Sequence, residues 1–193
     1  GRTGSLVRRT ARNEQIFTQV AQRIAAAHLP NATTSDVKAV EVDSLRVPAV
    51  VQMKAETGSL GRVEGDALRL RLPSDANPRS TFALAKRQHP LLLGTPAQQV
   101  MKLELELPEG FDVTKLPASG AVTLPCLSLA REVKLDGRVL KSTQTWRTTC
   151  ERISAQEYAT YRGKLDEMTR LLDDELVLGA SKKSTPVPAA KKK

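Results

Sequence analysis

Few residues in this 193-residue chain could form a nucleophilic or metal site: two cysteines, Cys126 and Cys150, and two histidines, His28 and His89. A Cys–His pair would give a thiolate nucleophile, the imidazole taking the thiol proton. The local sequence argues against it. Both cysteines lie in strand-like surroundings, without the glycine-rich turn or helix start that lowers a thiol pKa. His89 stands in Gln88-His89-Pro90, a loop setting. His28 falls in the last turn of a helical stretch, where an imidazolium suits the dipole. No two of the four have the close spacing of zinc ligands.

Other chemistry is equally thin. Gly58, Gly61 and Gly65 are not followed by the Lys-Ser/Thr of a phosphate loop. Glu104 and Glu106 alternate with leucines, which marks the wet face of a strand and not an acid/base pair. Asn31-Ala32-Thr33 is a formal glycosylation acceptor. Tyr158 and Tyr161 fit helix-to-sheet packing. A lone Trp146 provides no stacking array. The sequence assigns no catalytic, cofactor-binding or metal-binding residue, and no cofactor is expected.

The net charge of +9 suggests a polyanion partner until it is located. Residues 1–12 hold Arg2, Arg8, Arg9 and Arg12 with no acid, and residues 182–193 hold Lys182, Lys183, Lys191, Lys192 and Lys193 with no acid. Between them stand 21 basic and 21 acidic residues. A nucleic-acid-binding domain carries its basic face on the folded body, and this body is neutral. No specific nucleic acid is expected, only weak polyanion contact through the basic termini. No stretch is apolar enough for a transmembrane segment.

The elements that would position these residues read as follows. Residues 1–9 form a flexible basic leader. A helix over 10–28 lines up Ile16, Phe17, Val20, Ala21, Ile24 and Ala25, and Pro30 stops it. Alternating segments near 37–42, 49–53, 66–72 and 100–107 read as half-buried strands. Residues 121–133 and 138–150 form a hairpin, with Asp136-Gly137 central to a type I′ turn. Ser154-Ala155-Gln156-Glu157 is a capping box. It opens a helix bearing Tyr158, Tyr161, Leu165, Met168 and Leu172 and ending near Leu176. Residues 179–193 are a disordered Lys/Pro/Ala tail. Residues 10–178 therefore form a single mainly β (α+β) domain, an antiparallel β-sandwich-like sheet with an N-terminal and a C-terminal helix. Aromatic residues make up 3% of the chain, so the core must be aliphatic.

Cys126 and Cys150 stand 24 positions apart, a separation suited to a disulfide across neighbouring strand ends. A strict two-residue turn at Asp136-Gly137 pairs Leu135 with Arg138. It sets Cys126 opposite Arg147 and leaves Cys150 on the other face. A bulge or a three-residue turn brings the two cysteines together; without one they are two separate buried thiols. A bridge would place the chain in an oxidising compartment, the periplasm or cell envelope, and free thiols would leave the cytoplasm as the alternative.

Several segments carry a family resemblance. Leu105-Glu106-Leu107-Pro108-Glu109-Gly110-Phe111 is followed by Val113 and Leu116-Pro117, and Ile153-Ser154 leads into Glu157-Tyr158 and Tyr161-Arg162. With Arg87-Gln88-His89-Pro90-Leu91 and Pro30-Asn31-Ala32, this pattern resembles the non-catalytic β-rich region that follows the core of bacterial transglutaminase-like envelope proteins. In those proteins catalysis belongs to an upstream core with the order Cys, His, Asp. Here both histidines precede both cysteines, so no catalytic residue carries over. The resemblance implies a non-catalytic accessory or interaction domain of the bacterial envelope. Its partner would be another protein or an upstream domain of a precursor, met at a sheet edge or face. The alternatives are a thiol hydrolase using Cys126 or Cys150 with His89, and a polyanion binder acting through the basic tails.

Overall fold

The computed structural model describes residues 2–58 and 60–181. In chain order it has helices α1 (Arg2–Thr10) and α2 (Glu14–His28) and strands β1 (Thr33–Val40), β2 (Val50–Glu56), β3 (Gly61–Glu64) and β4 (Ala67–Leu70). A short helix α3 (Pro78–Thr81) precedes β5 (Leu91–Leu92), β6 (Ala97–Glu106), β7 (Phe111–Lys115), β8 (Gly120–Leu124), β9 (Leu127–Asp136), β10 (Val139–Thr148) and β11 (Arg152–Ile153). Helices α4 (Tyr158–Gly163) and α5 (Leu165–Asp173) lead into the last strand, β12 (Leu176–Ala180).

Two four-stranded antiparallel sheets form the body, one ordered β6-β10-β9-β8 and the other β3-β4-β12-β7. The mainly β, antiparallel architecture with helices at both ends agrees with the pattern of alternating strands. The long sheet has a single buried face, and two different layers cover it. At one end Leu140, Leu103, Leu105 and Val133 meet Leu68, Leu70, Leu176, Leu178 and Val113 of the small sheet. At the other end Val122, Leu127, Leu129 and Trp146 meet Tyr158, Tyr161, Leu165, Met168 and Leu172 of α4 and α5. Removing these aliphatic faces from water stabilises the fold at roughly 25 cal/mol per Å².

Between the two apolar clusters runs a buried polar seam of Arg131, Ser142 and Gln144, all three under 9% exposed. Arg131 Nε donates to the Ala118 carbonyl at 3.0 Å, and Gln144 donates to the Ser74 hydroxyl at 2.8 Å. Desolvation lowers the Arg131 pKa, and the carboxylates of Asp174 and Asp173 oppose that effect.

The N-terminal quarter departs from the expected leader and long helix. Residues 2–10 are helical, and the chain breaks before α2, whose first turn is capped by Asn13 accepting from the Ile16 N–H at 3.1 Å. The cause is tertiary. Val7 is buried, and the Arg8 guanidinium donates to the backbone carbonyls of Ser44 and Val47 at 2.8 and 2.6 Å. The C-terminal end also differs. Helix α5 stops at Asp173, and Leu176-Val177-Leu178 is a strand between β4 and β7. That strand takes in the first two residues of the expected tail, Gly179 and Ala180, and the Ser181 N–H donates to the Gly110 carbonyl at 2.8 Å. The rest of that tail, 182–193, lies outside the described residues.

Candidate functional site

The structure joins Cys126 to Cys150, with a Cα–Cα distance of 5.3 Å. The route to this bond differs from the expected one in two respects. The β9–β10 ladder contains no bulge. Its turn is centred one residue later, on Gly137-Arg138, so that Asp136 pairs with Val139. Gly137 has φ +58 whereas Arg138 does not adopt a positive φ, which is the glycine-first pattern of a type II′ turn and not type I′. Nor is the stretch 121–133 one strand: β8 and β9 are themselves a hairpin, with Leu124 paired to Leu127 around Pro125-Cys126. Cys126 thus sits in a turn, and Cys150 lies just past the end of β10. Neither side chain has to obey the alternation of the ladder.

Backbone and aromatic contacts hold the clasp. The Thr149 N–H donates to the Cys126 carbonyl at 2.9 Å, and the Cys126 N–H donates to the Tyr161 hydroxyl at 3.0 Å. The Phe82 ring lies 5.9 Å from Tyr158 and 6.2 Å from Tyr161, centroid to centroid. The Tyr158 hydroxyl donates to the Leu84 carbonyl at 2.7 Å, and the Arg87 guanidinium stands 5.6 Å over the Tyr158 ring. The capping box forms as read: Glu157 N–H donates to the Ser154 hydroxyl, and Ser154 N–H donates to the Glu157 carboxylate, both at 3.2 Å. Its first helical turn, α4, packs Tyr158 and Tyr161 against the long sheet.

The four residues with chemical potential are not assembled into one site. The cysteines are bonded to each other. His28 Nε2 lies 2.8 Å from Asp75. His89 is exposed on the loop before β5, its carbonyl accepting from Arg87. Among the described residues no group of three His, Cys, Asp or Glu is placed to hold a metal ion, and no helix is long and apolar enough to cross a membrane. Gly61 opens β3, and a Cβ there would meet the Arg69 carbonyl at 2.8 Å, so this glycine permits close strand pairing. A shallow cavity of about 420 Å³ lies between the end of α2 and the end of α5. Its charged lining is internally paired: Arg71 and Arg79 both bind Asp173, and His28 binds Asp75. Of the basic leader, Arg8 donates from its guanidinium to backbone carbonyls.

The long sheet leaves backbone bonding capacity unused along one outer strand. Strand β6 is an edge of the long sheet, ten residues long, with no proline or bulge in its ladder to β10. The Leu107 N–H donates to the carbonyl of Arg138 directly opposite. In an antiparallel ladder the direction alternates, so residues 97–105 at odd positions address β10. Gln98, Val100, Lys102, Glu104 and Glu106 turn their N–H and C=O groups outward. Sequence reading found this strand and its faces. It missed that the strand is an edge, since nothing local reports which strands pair.

Residues 70–178 match the family DUF3858, described as a "Domain of Unknown Function with solved-structure structure". The chain belongs to this family. The DUF3858 match covers the long sheet, the clasp and, of the small sheet, β7 with the first part of β12. A crystal structure of a "putative protease" from Parabacteroides distasonis ATCC 8503 is similar to this chain with a TM-score of 0.50 and 18% identity, covering 60% of this chain and 24% of that one. At that identity the likeness is one of fold. The chain spans about a quarter of that protein's length. No curated protein matches the chain.

Proposed function

We propose that this DUF3858 domain is a non-catalytic accessory or interaction module of a bacterial cell-envelope protein related to the transglutaminase-like proteins, binding a protein partner by its sheet edge. The observation that carries the reading is the Cys126–Cys150 bond. A sulfur held in a disulfide has no thiolate to offer, so the residues a thiol hydrolase would need are committed to structure. A 24-residue bridge also suits an oxidising compartment. Strand β6 supplies the binding capacity, because a row of outward backbone donors and acceptors recruits an extended segment.

Differential alkylation tests the first half. Cells making the protein are quenched in acid, treated with iodoacetamide, and then reduced and treated with a heavier reagent. Both cysteines should carry only the heavy label. A light label on either, with rapid modification of the native protein at neutral pH, would return the thiol-hydrolase reading. That reading would further require an activity lost in Cys126→Ser and His89→Ala.

A further inference from the structure

Resting on the edge-binding reading above, we infer that the occupant of the β6 edge is a second copy of this chain, paired antiparallel through residues 100–106 about a twofold axis at Leu103. The other three outer strands of the two four-stranded sheets are blunted. β3 has four residues, and β7 has five with a register shift against β12. β8 has five residues bounded by Pro117 and Pro125. Short or irregular edges recruit strands poorly. Among the described residues β6 is the longest outer strand, ten residues against the eight and seven of the separate β1–β2 pair, whose ladder is irregular between Ser35 and Lys38.

Its sequence is complementary to itself in one register. With Leu103 on the axis, Lys102 of each copy lies opposite Glu104 of the other. These are outward-bonding residues on both strands, as the ladder requires. On the same solvent-facing side Val100 lies opposite Glu106. On the core side Leu103 meets Leu103, and Met101 meets Leu105, which extends the apolar face of the sheet across the junction. Moving the axis to residue 102 sets Lys102 against itself. Moving it to residue 104 sets Glu104 against itself, and an axis at Leu105 opposes Glu104 to Glu106. Within one chain Glu104 faces Lys141 and acts on it only at a distance, because the Lys141 ammonium bonds Asp136 at 2.7 Å; Glu104 therefore has room for a closer cation from a second copy. Val100, 47% exposed in the single chain, would be covered by such pairing. A strand pair of this length is a small interface, so the dimer should be concentration-dependent.

Sedimentation velocity over a concentration series, with Lys102→Glu, Glu104→Lys and the double exchange, tests the register. The wild type should shift from monomer to dimer as concentration rises. Each single reversal replaces two opposite-charge pairs by two like-charge pairs and should weaken the dimer roughly tenfold. The double exchange should restore it. Leu103→Cys, whose thiols face each other across the axis, should give a covalent dimer on mild oxidation, and Met101→Cys should not. Circular dichroism confirms that each variant is folded. A protein that stays monomeric to about millimolar concentration, with no cross-link through residue 103, overturns the second-copy inference while leaving the edge open for a different protein. A double exchange that stays as weak as the single reversals overturns the register.

Discussion

Removing the clasp gives the clearest quantitative test of the fold. The perturbation is Cys126→Ala together with Cys150→Ala. The bond closes a loop of 24 residues, and the chain-entropy relation for that length gives about 3.5 kcal/mol of stability lost from constraint on the unfolded chain. The folded side should change little. The Cys126 turn stays fixed by the Thr149 N–H and by the Tyr161 hydroxyl, at 2.9 and 3.0 Å. For a chain of this size each kcal/mol is worth about 2–4 °C, so the melting temperature should fall by roughly 7–14 °C. Calorimetry of the variant, and of the wild type with and without reductant, makes the comparison. The reduced wild type and the variant should melt together, both well below the oxidised protein. A drop under about 2 °C would refute the reasoning. It would mean that the β9–β10 hairpin already holds the two positions together in the unfolded chain, leaving the bond little entropy to remove.

Three further perturbations separate the supports. Tyr161→Phe leaves the Cys126 N–H without its acceptor and should cost about 1–2 kcal/mol in urea unfolding; combined with loss of the disulfide the effects should be non-additive, since both hold one turn. Arg131→Met strips donors from the Ala118 and Leu172 carbonyls in the seam and should cost about 3 kcal/mol, with Arg131→Lys failing to restore it because an ammonium lacks the two-pronged geometry. Burial alone would raise the Asp174 carboxyl, but the Lys115 ammonium, the Ala118 N–H and Arg131 outweigh it and hold it below the ordinary aspartate value. A carboxyl depressed by folding contributes stability that is complete above its unfolded value and is lost as pH falls through its folded one. Denaturant titrations should therefore show stability falling below about pH 4, with a shallower fall in Asp174→Asn.

The elements legible in the sequence are those whose signals are local. The Leu/Glu alternation marks β6 because one of its faces is wet and the other half-buried. The Ser154–Glu157 box marks the start of α4 because the bonds that form it span three residues. Residues whose conformation is set by distant partners carry no such local signal. Leu176, Val177 and Leu178 are all buried, so the central strand β12 shows no alternation and passes for the end of a helix. Helix α1 depends on Val7 and on Arg8 reaching carbonyls almost forty residues away, and its own composition reads as a leader. The cysteines show both sides. Their pairing was open to inference from spacing, whereas its geometry turned on Pro125 breaking a strand and Gly137 moving a turn by one residue. At the β6 edge the residues were legible and the vacancy beside them was not, because an edge is defined by which strand is absent.

Amide hydrogen exchange along β6, read residue by residue in dilute and in concentrated protein, tests most directly that this domain acts through its sheet edge. In dilute protein the amides of Leu103 and Leu105, which address β10, should be protected, and those of Val100, Lys102 and Glu104 should exchange freely. In concentrated protein the outward amides should slow in proportion to the fraction of chain in the dimer, up to that fraction, with no change on β10. Outward amides already protected in dilute protein would contradict the account, since the edge would then be occupied by the chain itself and closed to any partner.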